Sequence, residues 1–328
     1  MKIIKKIWHN LNYGLKELWN SSKNFKGFDR VKAIFDMLWC WLRYGASPNN
    51  YIWFDFFNAT SKQRKTYMTH KQNVHIIKLF NNPNSIYKVQ NKFTFAEILG
   101  EKYGRFYALS NQVDFAKFKK IASSGKIVYK PLRGAQGAGI SVFESNNIDA
   151  LYEYVTQLPL GIIEQWINQN DEMSSLYPNA VNPLRIQTLY IKDTVHIIAG
   201  TITIANGTKI ANASAPNSIF ALIDVNTGIV CTDGCDYSGN YFIQHPETKK
   251  TFKGFQIPYW DKVVDLINKT AKRFPDIRHI GWDVAIGKDG PIIIEANETP
   301  GYTAFQTYKL TKKHEGLMPI YKKLIIQG

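Results

Sequence analysis

The chain is poor in cysteine. Cys40, Cys231 and Cys235 are its three thiols in 328 residues, and three cannot all pair. No CxxC spacing occurs, and Cys231 and Cys235 lack companion ligands. A disulfide-built domain and a zinc ribbon are thereby excluded, and a reducing cytoplasm fits. The seven histidines form no HExxH array, which argues against a zinc hydrolase. No Ser/His or Cys/His constellation for nucleophilic catalysis stands out. No apolar run approaches the roughly 18 residues of a membrane span. The lysine-rich start lacks both a continuous apolar stretch and a small-residue cleavage site, so it does not read as a signal peptide. Low-complexity tracts and internal repeats are missing too. Acidic residues are scarce in one place only. Residues 1–130 hold 23 Lys/Arg against 7 Asp/Glu, whereas residues 131–328 hold 18 against 19. A net charge of +15 concentrated at the front implies an anionic partner.

The length suits one large domain or two to three smaller ones. Ile4, Ile7, Trp8, Leu11, Leu15, Leu18 and Trp19 recur at helical spacing with lysines on other faces. Such a helix over Lys2–Trp19 either docks on the protein's own body or lies on a membrane surface. A second helix is expected from near Asp29 to near Gly45, with Val31, Ile34, Phe35, Leu38 and Leu42 inward and Trp39 and Trp41 packed. A third is expected over Ser61–Phe80. From Asn91 onward, single helices alternate with hairpins. This pattern predicts an α+β protein with antiparallel sheets. The expected organisation is a helical region over 1–90, a first subdomain over 91–160 and a second over 161–328.

Two segments carry chemistry. In Ile127–Phe143, Gly134, Gly137 and Gly139 allow backbone N–H groups to wrap phosphate oxygens, and Lys130 supplies a point charge. No GK[ST] follows, and Ile140–Phe143 reads as a strand, so this is neither a Walker A loop nor a Rossmann turn. The plainer alternative is a flexible hairpin tip. In His279–Gly301, two apolar-rich runs flank Lys288, Asp289 and Gly290, read as a three-residue hairpin loop. With Gly287 facing Pro291, Asp283 faces Glu295, and Asn297 shares their side. Three hard oxygen donors suit Mg²⁺; the plainer alternative is a solvated hairpin face. Ile162–Ile167 is an apolar strand broken by Glu164 and Gln165, fit either to line an adenine slot or to form core.

In this order, lysine, glycine flap, Glu-bearing strand, Arg-bearing strand, Asp and Glu-x-Asn resemble the ATP-grasp superfamily. Tyr44–Asn58, Glu164–Asn170, Asn182–Leu189, Gly281–Ile286 and Ile292–Gly301 resemble more narrowly the sugar-transfer-associated ATP-grasp proteins found with polysaccharide-synthesis enzymes. The resemblance implies two α+β subdomains gripping ATP, and Mg²⁺ as cofactor. It implies phosphate binding by Lys92 and Lys130, and a closing loop of Arg133, Gly134, Gln136, Gly137 and Gly139. It assigns adenine to Glu164, Gln165, Trp166 and Ile167, and ribose to Asp171 or Glu172. It gives the metal to Asp283, Glu295 and Asn297, and the γ-phosphate or a developing oxyanion to Arg185. Asn170 departs from the pattern, since many relatives have histidine there.

The implied activity is carboxylate–amine ligation through an acyl phosphate. The expected substrates are a uronic-acid-containing saccharide and an amino acid or amino sugar of a surface polysaccharide. A kinase-like phosphotransferase is the first alternative. A non-catalytic nucleic-acid-binding protein is the second, disfavoured because the lysines are scattered and no RNP-type aromatic motif occurs.

Overall fold

The alternation of apolar and polar residues after Asn91 closes into two antiparallel sheets. The computed structural model describes residues 14–134, 138–207 and 217–327. Most of the expected helix Lys2–Trp19 lies outside these residues, as do Gln136 and Gly137 of the glycine loop. Among the described residues, no helix is long and apolar enough to cross a membrane.

The chain divides into two compact units, one formed by residues 80–300 and the other by residues 1–79 with 301–328. These limits differ from the expected boundaries at 90/91 and 160/161. The C-terminal segment belongs with the front of the chain, a long-range association that no local pattern encodes.

In the first unit the helices include Gly27–Tyr44 and His70–Phe80. Helix Gly27–Tyr44 ends on Gly45 in the left-handed region, whose N–H closes onto Trp41 O. Its inward face differs from expectation. Ala33, Met37, Cys40 and Tyr44 are buried, whereas Val31, Phe35, Trp39, Trp41 and Leu42 are exposed. Buried polar chemistry selects that face: Arg64 grips both Asp36 oxygens at 2.6–2.7 Å and meets Cys40 Sγ at 3.2 Å. The expected helix Ser61–Phe80 is two helices, Ser61–Arg64 and His70–Phe80. Between them Tyr67 and Met68 are fully buried, and Thr69 Oγ1 donates to Tyr44 O.

The second unit holds both sheets. The first is ordered β1 (Tyr107–Leu109), β4 (Gly161–Gln165), β2 (Lys126–Pro131), β3 (Ser141–Glu144). One face packs Ile127 and Ile163 on Phe118, Ile121, Leu151 and Val155 from helices Phe115–Ile121 and Ile148–Thr156. By the two-residue repeat, Val128, Lys130, Ile162 and Glu164 share the opposite face. Strand β4 pairs with β1 and β2, so residues 161–165 lie in the sheet of the expected first subdomain.

Among the described residues the second sheet has seven strands, in the order β11 (Gly290–Asn297), β10 (His279–Gly287), β5 (Leu184–Ile191), β6 (Thr194–Ile204), β7 (Ile219–Ile223), β8 (Gly234–Asp236) and β9 (Tyr241–Phe242). Strands β5 and β6 are joined by Lys192 and Asp193, both at positive φ, as a two-residue hairpin requires. Leu184, Ile186, Trp282 and Val284 bury one face against Val263 and Ile267 of helix Trp260–Ala271. The other face carries Arg185, Asp283, Glu295 and Asn297.

Candidate functional site

The hairpin of β10 and β11 places the acidic pair by a route the expected register lacks. Gly287 pairs with Gly290, not with Pro291, and Lys288–Asp289 form a two-residue turn. A bulge then admits Ile294 as an extra residue, since Val284 faces Ile293 while Asp283 faces Glu295. The bulge offsets the tighter turn and restores the Asp283–Glu295 pair. Asn297 Nδ2 reaches Glu295 Oε1 at 3.5 Å. From the neighbouring strand, Arg185 Nε donates to Asp283 Oδ1 at 2.7 Å.

Two facing carboxylates in a partly buried setting push their pKa values apart. Burial raises the Asp283 pKa, Arg185 opposes it, and the Glu295 carboxylate helps carry it up to about 8. Glu295 is half-buried; desolvation works to raise its pKa, but the hydrogen bond from Asp283 and the charges of Lys130, Arg185 and Lys92 hold it low. The donor set fits Mg²⁺: two carboxylates and an amide carbonyl offer hard oxygens on one sheet face. Among the described residues, no group of three or more His, Cys, Asp or Glu able to hold a metal occurs.

The first sheet contributes cations. Lys130 Nζ pairs with Glu164 Oε2 at 2.8 Å, and Arg105 Nη2 pairs with the same oxygen. All three side chains are buried. Burial works to raise the Glu164 pKa, but Arg105 and Lys130 outweigh it and hold it at about 2. Lys130 moves the opposite way to an ordinary ion-pair lysine. Burial pulls it down, and the carboxylate that would restore it is shared with Arg105. Lys92 opens helix Lys92–Leu99, and its Nζ donates to Gly134 O at 2.8 Å. Gly134 and Gly139 both have positive φ, and a Cβ on Gly139 would lie 2.7 Å from Pro131 Cγ. Arg133 is exposed beside them.

Arg185 and Lys130 thus act electrostatically on both Asp283 and Glu295, and Lys92 acts on Glu295, so charges from both sheets influence the acidic pair. The expected adenine residues are less gathered. Glu164 is occupied by its two cations. Gln165 Nε2 lies 3.4 Å from Ser123 Oγ, and the Trp166 ring lies 5.8 Å from Lys126 Nζ. Ile167 is half-buried. The backbone of Glu164 and Gln165 is paired on both sides within the sheet, to β1 or Phe106 O and to β2, so Trp166 and Ile167, past the end of the strand, are the residues of this set outside the ladder. Asp171 and Glu172 are both exposed in the first turn of helix Asp171–Leu176. Asn170 caps that helix, its Oδ1 accepting from Glu172 N at 2.9 Å.

Two residues escaped the sequence reading. Arg105 is one; its signal was indirect, because a glutamate inside the apolar run IIEQWI needs a buried counter-charge. Its Nε and Nη1 have no partner among the described residues. A small pocket of about 10 Å³ is lined by Phe95, Leu99, Arg105, Tyr107, Glu164 and Ile294. Asn182 is the other: buried two residues before β5, it donates to Met173 O and Tyr177 O at 2.9 Å. It thereby ties helix Asp171–Leu176 to the strand that carries Arg185.

A family profile described as sugar-transfer associated ATP-grasp matches residues 145–320. The chain belongs to this family. As an ATP-grasp protein it has weak likenesses among solved structures. It is similar to the ATP-grasp ligase PsnB complexed with minimal precursor at 15% identity and TM-score 0.45, covering 76% of this chain and 64% of that one. It is similar to an L-amino acid ligase from Bacillus licheniformis at 14% identity and TM-score 0.41, covering 73% and 48%. It is also similar to D-alanyl-alanine synthetase A from Vibrio cholerae at 15% identity and TM-score 0.37, covering 73% and 60%. The ATP-grasp chain thus spans less than two thirds of the length of PsnB. No curated protein matches it.

Proposed function

We propose that the protein is an ATP-dependent ligase joining a carboxylate to an amine through an acyl phosphate. A substrate carboxylate oxygen attacks the γ-phosphorus, the bond to the β–γ bridging oxygen breaks, and ADP leaves. The amine nitrogen then attacks the acyl carbon, the bond to phosphate breaks, and phosphate and a proton depart. Bound Mg²⁺ neutralises charge on the triphosphate during such a transfer.

The chain's own residues have distinct tasks in this reading. Asp283, Glu295 and Asn297 hold the metal. Lys92 and Lys130 hold phosphate oxygens, with Lys130 leaving Glu164 to do so. Arg133, Gly134, Gln136, Gly137 and Gly139 close over the β- and γ-phosphates and exclude water from the acyl phosphate. Glu164, Gln165, Trp166 and Ile167 line the adenine slot, and Asp171 or Glu172 meets ribose. Arg185 stabilises the oxyanion of the tetrahedral intermediate.

The supporting observation is the meeting of the two sheets' charges, with Lys92 and Lys130 acting on Glu295 and Arg185 bonded to Asp283. Family membership gives that cluster its ATP-grasp context. We assign the acid to a uronic acid of a surface polysaccharide or its lipid-linked precursor, and the amine to an amino acid or amino sugar. The family's sugar-transfer association and the basic front of the chain support this choice. The reaction would run in the cytoplasm.

The test supplies purified protein with ATP, Mg²⁺ and uronate–amine pairs and follows ADP, phosphate and amide. Substrate-dependent turnover is expected, and Asp283→Asn or Glu295→Gln should abolish it in folded protein. No turnover with any pair would refute the ligase. A stable phosphorylated acceptor without amide would identify a phosphotransferase.

A further inference from the structure

Helix Gly27–Tyr44 has two apolar faces, and only one of them is used. Its buried face is Ala33, Met37, Cys40 and Tyr44. A second stripe, spaced three or four residues apart, is open to solvent. It comprises Phe28 (82% exposed), Val31 (49%), Phe35 (68%), Trp39 (54%) and Leu42 (74%). At 100° per residue these five lie within about 80° of arc and extend about 21 Å along the helix. Scattered apolar residues on a surface need no explanation, but a continuous stripe of five large ones marks an interaction site.

The surrounding charges select the partner. Lys32 and Arg43 flank one edge of the stripe by the same helical geometry. Lys23 and Lys26 precede its amino-terminal end in the chain. Asp36, on the same flank as the two cations, is neutralised by Arg64. Asp29 is the helix's other acidic residue. Aromatic rings beside lysine and arginine on a surface helix match the membrane interface, where rings enter the headgroup boundary and cations meet anionic lipid.

We propose that the face Phe28–Val31–Phe35–Trp39–Leu42 is a docking surface for an anionic lipid bilayer. It holds the protein to the membrane surface with the helix lying in the interface plane. The inference rests on neither the ligase reading nor the segment Lys2–Trp19. A sugar acceptor carried on a lipid would be met at such a surface.

The test uses the full chain in sedimentation with vesicles of phosphatidylcholine alone and of phosphatidylcholine with phosphatidylglycerol. Binding is expected only to the anionic vesicles and should weaken as salt rises. Phe35→Ser with Trp39→Ser should lower vesicle affinity at least about tenfold, since two inserted rings carry much of the buried apolar area. Lys32→Glu with Arg43→Glu should lower it without touching the apolar stripe. Circular dichroism and thermal melting confirm that each variant folds. Three results would overturn the proposal: no anionic-vesicle binding by the unmodified chain, undiminished binding by both variants, or a dimer that Phe35→Ser/Trp39→Ser converts to monomer. The last would make a second copy of the chain the occupant.

Discussion

Glu164→Gln isolates the ion triad at the junction of the two sheets. The carboxylate lies between Lys130, at 2.8 Å, and Arg105, with side-chain exposures of 6–8% for all three groups. Neutralising it leaves two buried cations facing each other with no anion between them. Breaking a buried pair in this way typically costs about 3–5 kcal/mol. The depressed Glu164 pKa gives a second order-of-magnitude figure. Glu164 is held at about 2, against an ordinary value of about 4.3, and that gap corresponds to roughly 3 kcal/mol at neutral pH. A depressed folded-state pKa contributes stability in full above the unfolded value and loses it as pH falls. The loss should therefore fall between about pH 4.3 and pH 2. Urea denaturation of the ligand-free protein, followed by far-UV circular dichroism at pH 7, should show the midpoint lowered by the equivalent of about 3 kcal/mol. The variant should also lack the Glu164 share of acid destabilisation in that window. A loss below about 1 kcal/mol would refute the reasoning. It would mean that Lys130 and Arg105 relax into solvent or that Lys130 sheds its proton.

Further outcomes follow from other contacts. Arg185→Gln should lower kcat of the proposed ligation by about 10²–10³ while the protein stays folded, as loss of an oxyanion donor does; unchanged kcat in steady-state assays would remove Arg185 from the chemistry. Asn170→Ala should cost about 1 kcal/mol of stability through the lost cap, and Asn170→Asp should retain it; equal denaturation midpoints for the two variants would contradict the capping role. Cys40 and Cys235 are buried and Cys231 is exposed, and burial pushes the Cys40 thiol up to about 12. Maleimide should therefore label Cys231 in the native protein and all three thiols in denaturant, as read by mass spectrometry.

The acidic pair was legible because hairpin periodicity is local. Apolar runs on both sides of Lys288–Gly290 required β10 and β11 to pair, and the alternation put Asp283 and Glu295 on one face. The register assumed for the loop was off by one, and the bulge at Ile294 compensated. Lys92 and Gly134 were both recognised as phosphate residues, but their contact spans 42 positions and appears only in three dimensions. Arg105 stayed hidden because its partner lies 59 residues away.

Taken alone, the sequence determined that helices alternate with hairpins after Asn91, that the sheets are antiparallel, and that Asp283 faces Glu295 across one of those hairpins. Those properties depend on periods of two and 3.6 residues and on turn chemistry within a few positions. Tertiary structure decided what has no local signal: that residues 301–328 join the first unit, that β4 belongs to the sheet of β1 and β2, and that Glu164 spends Lys130 and Arg105 on one carboxylate. It also decided which of two apolar faces of helix Gly27–Tyr44 is buried. Both faces are hydrophobic enough to pack, and the Arg64–Asp36–Cys40 contacts on one side made the choice.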